Sequence, residues 1–161
     1  GMLGLPLDAM SILVGSIAIG LAVDDLDTPT MADFMKALDK VNRIADRSPG
    51  FVWRLQDEAG NATGVKYSEN PREIVNLSVW QTSADLEHYV WNKVHRHFMN
   101  RRAEWFVPID QPYFVLWWVP VDVLPTLAEA LDRLACLRSD GPSAHAFGWS
   151  NLPGQRIWDQ P

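Results

Sequence analysis

Apolar positions along this chain change period several times, and the order of the changes predicts the architecture. Residues 12–22 are almost continuously apolar and read as a buried strand, ended by Asp24-Asp25-Leu26-Asp27. Thr28-Pro29 offers a capping hydroxyl and a first-turn proline, and Met31, Phe34, Met35, Leu38, Val41 and Ala45 then recur at helical spacing. Ser48-Pro49-Gly50 stops that helix. Residues 51–56 form a short strand, residues 57–64 a glycine- and asparagine-bearing hairpin-type loop, and residues 74–81 a third strand rich in Ile and Val. A second helix opens at Thr82 or Ser83, where Thr82-x-x-Asp85 resembles a capping box, and runs to about Phe106, before Pro108.

Residues 113–119, Tyr-Phe-Val-Leu-Trp-Trp-Val, form a fourth strand closed by Pro120. This run has no polar face, so both of its sides need cover, and a second copy of the chain is the most economical source of the second cover. The order is then β-α-β-β-α-β: an α+β, ferredoxin-like arrangement with an antiparallel sheet. A third helix begins at Pro125, carries Leu127, Ala130, Leu131, Leu134 and Leu137 as one stripe, and ends at Gly141-Pro142. Residues 144–149 are expected to add a last short strand, and the chain from Asn151 reads as an irregular tail. Gly1-Met2 reads as a tag remnant, within an N-terminal extension over residues 1–11. The whole of 1–161 is expected to be a single domain, without internal repeats or low-complexity tracts.

Composition narrows the function classes. A chain of 161 residues that is 47% hydrophobic can bury a core of its own. A net charge of −6, with no run of lysine or arginine, lacks the footprint of a nucleic-acid binder, so no DNA or RNA partner is expected. The apolar stretch 12–23 is too short to span a bilayer and is interrupted by Gly15, Ser16 and Gly20. No lysine or arginine precedes Lys36, so a secretory leader is not expected either; the reading is a cytoplasmic protein without membrane association. The lone Cys136 has no evident base beside it and cannot form an intrachain disulfide. Neither a phosphate-binding glycine loop nor a Gly-x-Ser-x-Gly elbow is present.

The densest chemistry falls on the second helix. On an unbroken helical wheel Val90, Val94, Phe98 and Trp105 share a stripe with Arg101, while Trp91, His95 and Arg102 flank one side and His97 the other. A guanidinium on an apolar face either reaches a wet cavity, or snorkels to solvent and meets a structural carboxylate. On the third strand, alternation places Ile74, Asn76, Ser78 and Trp80 on one face and Val75, Leu77 and Val79 on the other. If the mixed face meets the second helix, Asn76, Ser78 and Trp80 could line a cavity with His95 and Arg101; otherwise they form a satisfied core network or the edge of an interface. Of eight tryptophans, Trp53, Trp80 and Trp105 are assigned to this pocket, with Trp91 and Arg102 as further ligand contacts, and Trp117 and Trp118 to opposite faces of the fourth strand. His88, His95 and His97 do not share a helix face, so no metal site is expected.

Five ordered blocks carry a family resemblance: residues 48–56 (Ser-Pro-Gly-Phe-Val-Trp-Arg-Leu-Gln), 74–80 (Ile-Val-Asn-Leu-Ser-Val-Trp), 101–106 (Arg-Arg-Ala-Glu-Trp-Phe), 115–120 (Val-Leu-Trp-Trp-Val-Pro) and 125–130 (Pro-Thr-Leu-Ala-Glu-Ala). Over about 24–149 the chain resembles the uncharacterised bacterial family known as domain of unknown function 3291, placed in the dimeric α/β-barrel superfamily beside antibiotic-biosynthesis and haem-degrading monooxygenases. The resemblance implies a homodimer with sheets packed face to face, and a fold more strongly than an activity. His95 aligns with a histidine of the family pattern. Asp122-Val123 stands where that pattern has Gly-His, and Phe147-Gly148-Trp149 replaces Phe-Thr-Phe.

Two functions follow as expectations. One is a cofactor-independent, monooxygenase-like enzyme for a small hydrophobic or aromatic molecule, with His95 as base and Arg101 or Asn76 stabilising an enolate. The other is a non-catalytic homodimer that binds a small molecule or serves a structural role. No cofactor is expected. Haem, with His95 as axial ligand near Trp80, ranks lower because residues 12–22 offer no asparagine to complete the set of that branch.

Overall fold

A computed structural model describes residues 12–152. Four strands, β1 (Ile12–Leu21), β2 (Phe51–Arg54), β3 (Glu73–Trp80) and β4 (Phe114–Pro120), form one antiparallel sheet in the order β2-β3-β1-β4. Helix α1 (Pro29–Arg47) connects β1 to β2, and three short helices, α2 (Ser83–Val90), α3 (Lys93–Asn100) and α4 (Arg102–Trp105), connect β3 to β4. With α5 (Leu127–Asp140) following β4, the order is the expected ferredoxin-like α+β one with an added helix.

Register decides which side chains share a face. Ser16 pairs with Ser78 and with Leu116, and Ala18 with Asn76 and with Phe114, so one face carries Val14, Ser16, Ala18 and Gly20 beside Ile74, Asn76, Ser78 and Trp80. That face lies under α1 to α4: Val14, Trp80 and Leu116 pack with Ala45, Leu86 and Tyr89, and Ile74 packs with Phe34, Leu38 and Trp105. On the opposite face Ile17, Val75, Leu77, Val115, Trp117 and Val119 form a continuous core with Ala130 and Leu134 of α5. α5 covers this face from within the chain, where the sequence reading looked to a second copy as the most economical cover. Gly15 belongs to this tight side: a Cβ there would lie 2.8 Å from Cε2 of its strand partner Trp117. The Trp117 indole N–H is buried without a hydrogen-bond partner among the described residues.

Several boundaries differ from the sequence reading. The Thr28 hydroxyl does not cap α1; it donates to the Asp25 carbonyl at 2.6 Å, while Pro29 takes the first-turn position. Thr82 and Thr126 do cap, accepting from the amides of Asp85 and Glu129. Residues 57–64 are no simple hairpin: the Asp57 carboxylate accepts from the amides of Ala59 and Gly64, and Asn61 Oδ1 accepts from Thr63, which folds the segment on itself. The last short strand is reduced to single bridges, Leu116 with Phe147 and Ser143 with Ala146, followed by a 3₁₀ turn at Trp149–Asn151. The expectations for residues 1–11 and for the tail beyond Leu152 lie outside the described residues. Asp122 adopts φ of 71° in the turn after β4.

Candidate functional site

The second helix expected from sequence is broken twice, and the breaks build the site. α2 ends at Trp91, and the Asn92 side chain restarts the chain as α3 by accepting from the Val94 amide at 2.9 Å. A second interruption at Arg101, φ −93° and ψ 5°, separates α3 from α4. Because each restart resets the direction of the axis, side chains that share a stripe on one wheel no longer share a face.

Between these helices and the sheet lies a cavity of about 490 Å³. Its floor comes from small side chains, Ser16, Ala18 and Gly20 of β1 and Asn76 and Ser78 of β3, and its aromatic walls include Phe34, Phe98, Phe106, Tyr113, Phe114 and Trp149. Residues this small under helices this short leave space that larger side chains would fill.

His95 of α3 faces the cavity. Its Nδ1 lies 3.1 Å from the Val90 carbonyl, and a carbonyl only accepts, so Nδ1 carries the proton and Nε2 the lone pair. Burial pushes the imidazole down from its usual 6.5 to about 4, with the Val90 bond opposing, so the ring is neutral at neutral pH. The ring stands edge-on to Tyr89 at 4.8 Å, and Tyr89 stacks on Trp80 at 5.0 Å. Burial raises the Tyr89 phenol, which donates to the Val41 carbonyl at 3.2 Å.

The polar lining divides into committed and uncommitted groups. Ser78 accepts from Trp80 Nε1 at 3.0 Å and shares a hydrogen bond with Ser16 at 3.1 Å. Arg54 is held by Asp46 at 2.8 Å and by the Gly60 carbonyl at 2.6 Å. By contrast, the side chains of Asn42, which is buried, and of the more open Asn76 and Arg102, as well as His95 Nε2, have no hydrogen-bonding partner among the described residues. Asn42 is buried, His95 and Arg102 are half-buried and Asn76 is open, so these groups are placed to meet water or a ligand in the cavity.

The family model of a domain of unknown function, DUF3291, matches residues 14–160. The chain belongs to this family. No curated protein matches this DUF3291 chain in sequence. Among solved structures it is similar to PA3566 from Pseudomonas aeruginosa, at 12% identity and a TM-score of 0.48, over 71% of this chain and 98% of that one. It is also similar to a putative antibiotic biosynthesis monooxygenase from Nitrosomonas europaea, at 16% identity and a TM-score of 0.44, over 71% and 91%. SnoaB, a cofactor-independent oxygenase from Streptomyces nogalater, is similar at 13% identity and a TM-score of 0.43, over 71% and 96%.

Of the residues singled out from sequence, this DUF3291 fold gathers His95, Asn76, Ser78 and Arg102 around the cavity. Arg101 lies elsewhere: it pairs on the surface with Glu104 at 3.0 Å and Asp33 at 3.2 Å, and its guanidinium covers the Trp105 ring. Trp80 is sealed behind Ser78, Trp105 is packed between Phe34 and Phe98, and Trp53 lies on the far face with the α5 core. Trp91 is 40% exposed beneath Arg96. Sequence reasoning missed Asn42, Tyr113, Phe114 and Trp149. Asn42 was legible as a polar position next to Val41 on the buried stripe of α1, whereas Trp149 depends on the stacking against Phe114 at 5.6 Å that only the fold creates. Among the described residues no group of His, Cys, Asp and Glu could hold a metal ion. No helix among them is long and apolar enough to cross a membrane.

Proposed function

We propose that this protein is an enzyme that takes a flat, largely hydrophobic or aromatic compound into the sheet–helix cavity and removes a proton from it with His95, in the manner of a cofactor-independent monooxygenase. The observation that carries this reading is His95 itself: a neutral imidazole with its Nδ1 proton fixed on a backbone carbonyl and its Nε2 lone pair uncommitted at an aromatic-lined cavity. Burial makes the ring a weak base. An enolate forming beside it offsets the cost of charging the imidazole, and the Asn76 amide can donate to the enolate oxygen. The carbanion so formed is electron-rich enough to react with dioxygen directly.

A non-catalytic binding protein is the alternative, favoured by the closure of Ser16, Ser78 and Trp80 on one another and by the surface position of Arg101. Haem ranks below both: residues 12–22 offer no asparagine, and the full burial of Trp80 gives no support to a ring held between it and His95. Thermal-shift measurements against quinones, polyphenols and haem, on the wild type and on His95→Ala, test the proposal. Stabilising compounds whose effect depends on His95, and whose addition consumes dioxygen, are the expected result. Binding indifferent to His95→Ala, without turnover, would leave only the binding role.

The proposal includes a homodimer. Trp118, Val121, Val123 and Leu124, exposed by 43%, 39%, 54% and 52%, sit in and beyond the last part of β4 and are suited to self-association. Light scattering at micromolar concentration tests it, and a monomeric mass removes it.

A further inference from the structure

The charge of the cavity wall departs from the charge of the chain. The protein carries 20 acidic and 14 basic residues, yet no aspartate or glutamate is among the described residues lining the cavity, whereas two arginines are. Arg54 is neutralised by Asp46. Arg102 is not: its guanidinium rests against the rings of Tyr113 at 4.2 Å and Phe106 at 5.0 Å, and no carboxylate among the described residues pairs with it. Stacking on rings stabilises the cation through its flat face, while the in-plane N–H groups, which recognise planar oxyanions, stay unused. Asn42 and Asn76 supply further N–H donors around the same cavity without adding negative charge.

We infer that the natural ligand bears a permanent anionic group, of the arene carboxylate class, which Arg102 binds while the ring system lies among the aromatic walls. The inference rests on the cavity proposed above as the binding site and adds the substrate class to it. It also assigns Arg102 a task separate from that of His95. Arg102 anchors the charged end and thereby sets which carbon of the ring system faces the imidazole.

Two probes of equal shape separate the charge from the pocket: 2-naphthoate, ionised at neutral pH, and 2-naphthamide, its neutral isostere. Titration calorimetry on the full chain is expected to show the carboxylate bound about tenfold more tightly than the amide. Arg102→Gln should abolish that preference and leave the amide affinity within about twofold, Arg102→Lys should keep part of it, and Arg101→Gln should keep all of it. Equal affinity of the two probes for the wild type, or a preference that survives Arg102→Gln, overturns the anionic ligand while the cavity stands as a binding site. Failure of both probes to bind the wild type overturns the cavity reading and this inference together.

Discussion

The two faces of the sheet solve opposite problems. Beneath α5, branched and aromatic side chains of β1, β3 and β4 meet the small Ala130 and the long Leu134, and glycine at position 15 makes room for the Trp117 ring. That side is closed to the point of stranding an indole N–H. Beneath α1 to α4, the same central strands present serine, alanine, glycine and asparagine, and the helices above them come in short pieces. One face is packed to high density; the other keeps a hollow whose lining includes polar groups without partners among the described residues. The difference teaches that the dense core and the candidate site are built by alternate residues of the same strands.

The largest expected effect breaks the dense face. Trp117→Ala should cost about 3–5 kcal/mol in urea unfolding, as large core truncations do, whereas Phe98→Ala, at the edge of the hollow, should cost less than half of that. Equal losses at the two sites would erase the contrast. Next comes pH. Because burial depresses His95 from 6.5 to about 4, the unfolded chain takes up the proton first, so stability present above pH 6.5 declines as pH falls towards about 4. The integrated loss is about 3 kcal/mol, and His95→Gln should remove that component of the pH–stability curve. A curve unchanged by the substitution would place the imidazole in water rather than in the wall.

Smaller effects sharpen the comparison. Asn76→Leu should change stability by no more than about 0.5 kcal/mol, since its position is open to the cavity, yet weaken 2-naphthamide binding about tenfold by filling the hollow. A large loss of stability would show the asparagine to be structural. Smallest of all, Asp122→Gly should raise stability by about 0.5–1 kcal/mol, because the turn after β4 holds a positive φ that glycine adopts freely. A loss would mean that the aspartate side chain contributes more than its backbone strain costs.

Much of this was legible in the residues. Periodicity placed all four strands and the first and last helices, and the alternation of Asn76 and Ser78 against Val75 and Leu77 separated the polar face from the core. Periodicity failed where it assumed an unbroken rod. From Ser83 to Trp105 the apolar positions fit one wheel, and only the Asn92 cap and the turn at Arg101 show that three axes replace one. That error exchanged two adjacent arginines: Arg101, read onto the cavity, lies with Asp33 and Glu104 on the surface, and Arg102, read to its flank, lines the hollow.

The sequence by itself determined the order of elements, the identity of the two strand faces and the buried character of β4, because these follow from hydrophobic spacing and from caps and stops within a few residues. Tertiary structure alone decided what covers the second face within the chain, since α5 is amphipathic wherever it lies and only the fold packs it on Val115 and Trp117. It also decided which polar groups are satisfied. Ser78 with Ser16, Arg54 with Asp46 and Arg101 with Asp33 are pairings across 62, 8 and 68 residues of chain, set by where the elements meet rather than by neighbouring residues, and the polar groups they leave unpaired around the cavity form the candidate site.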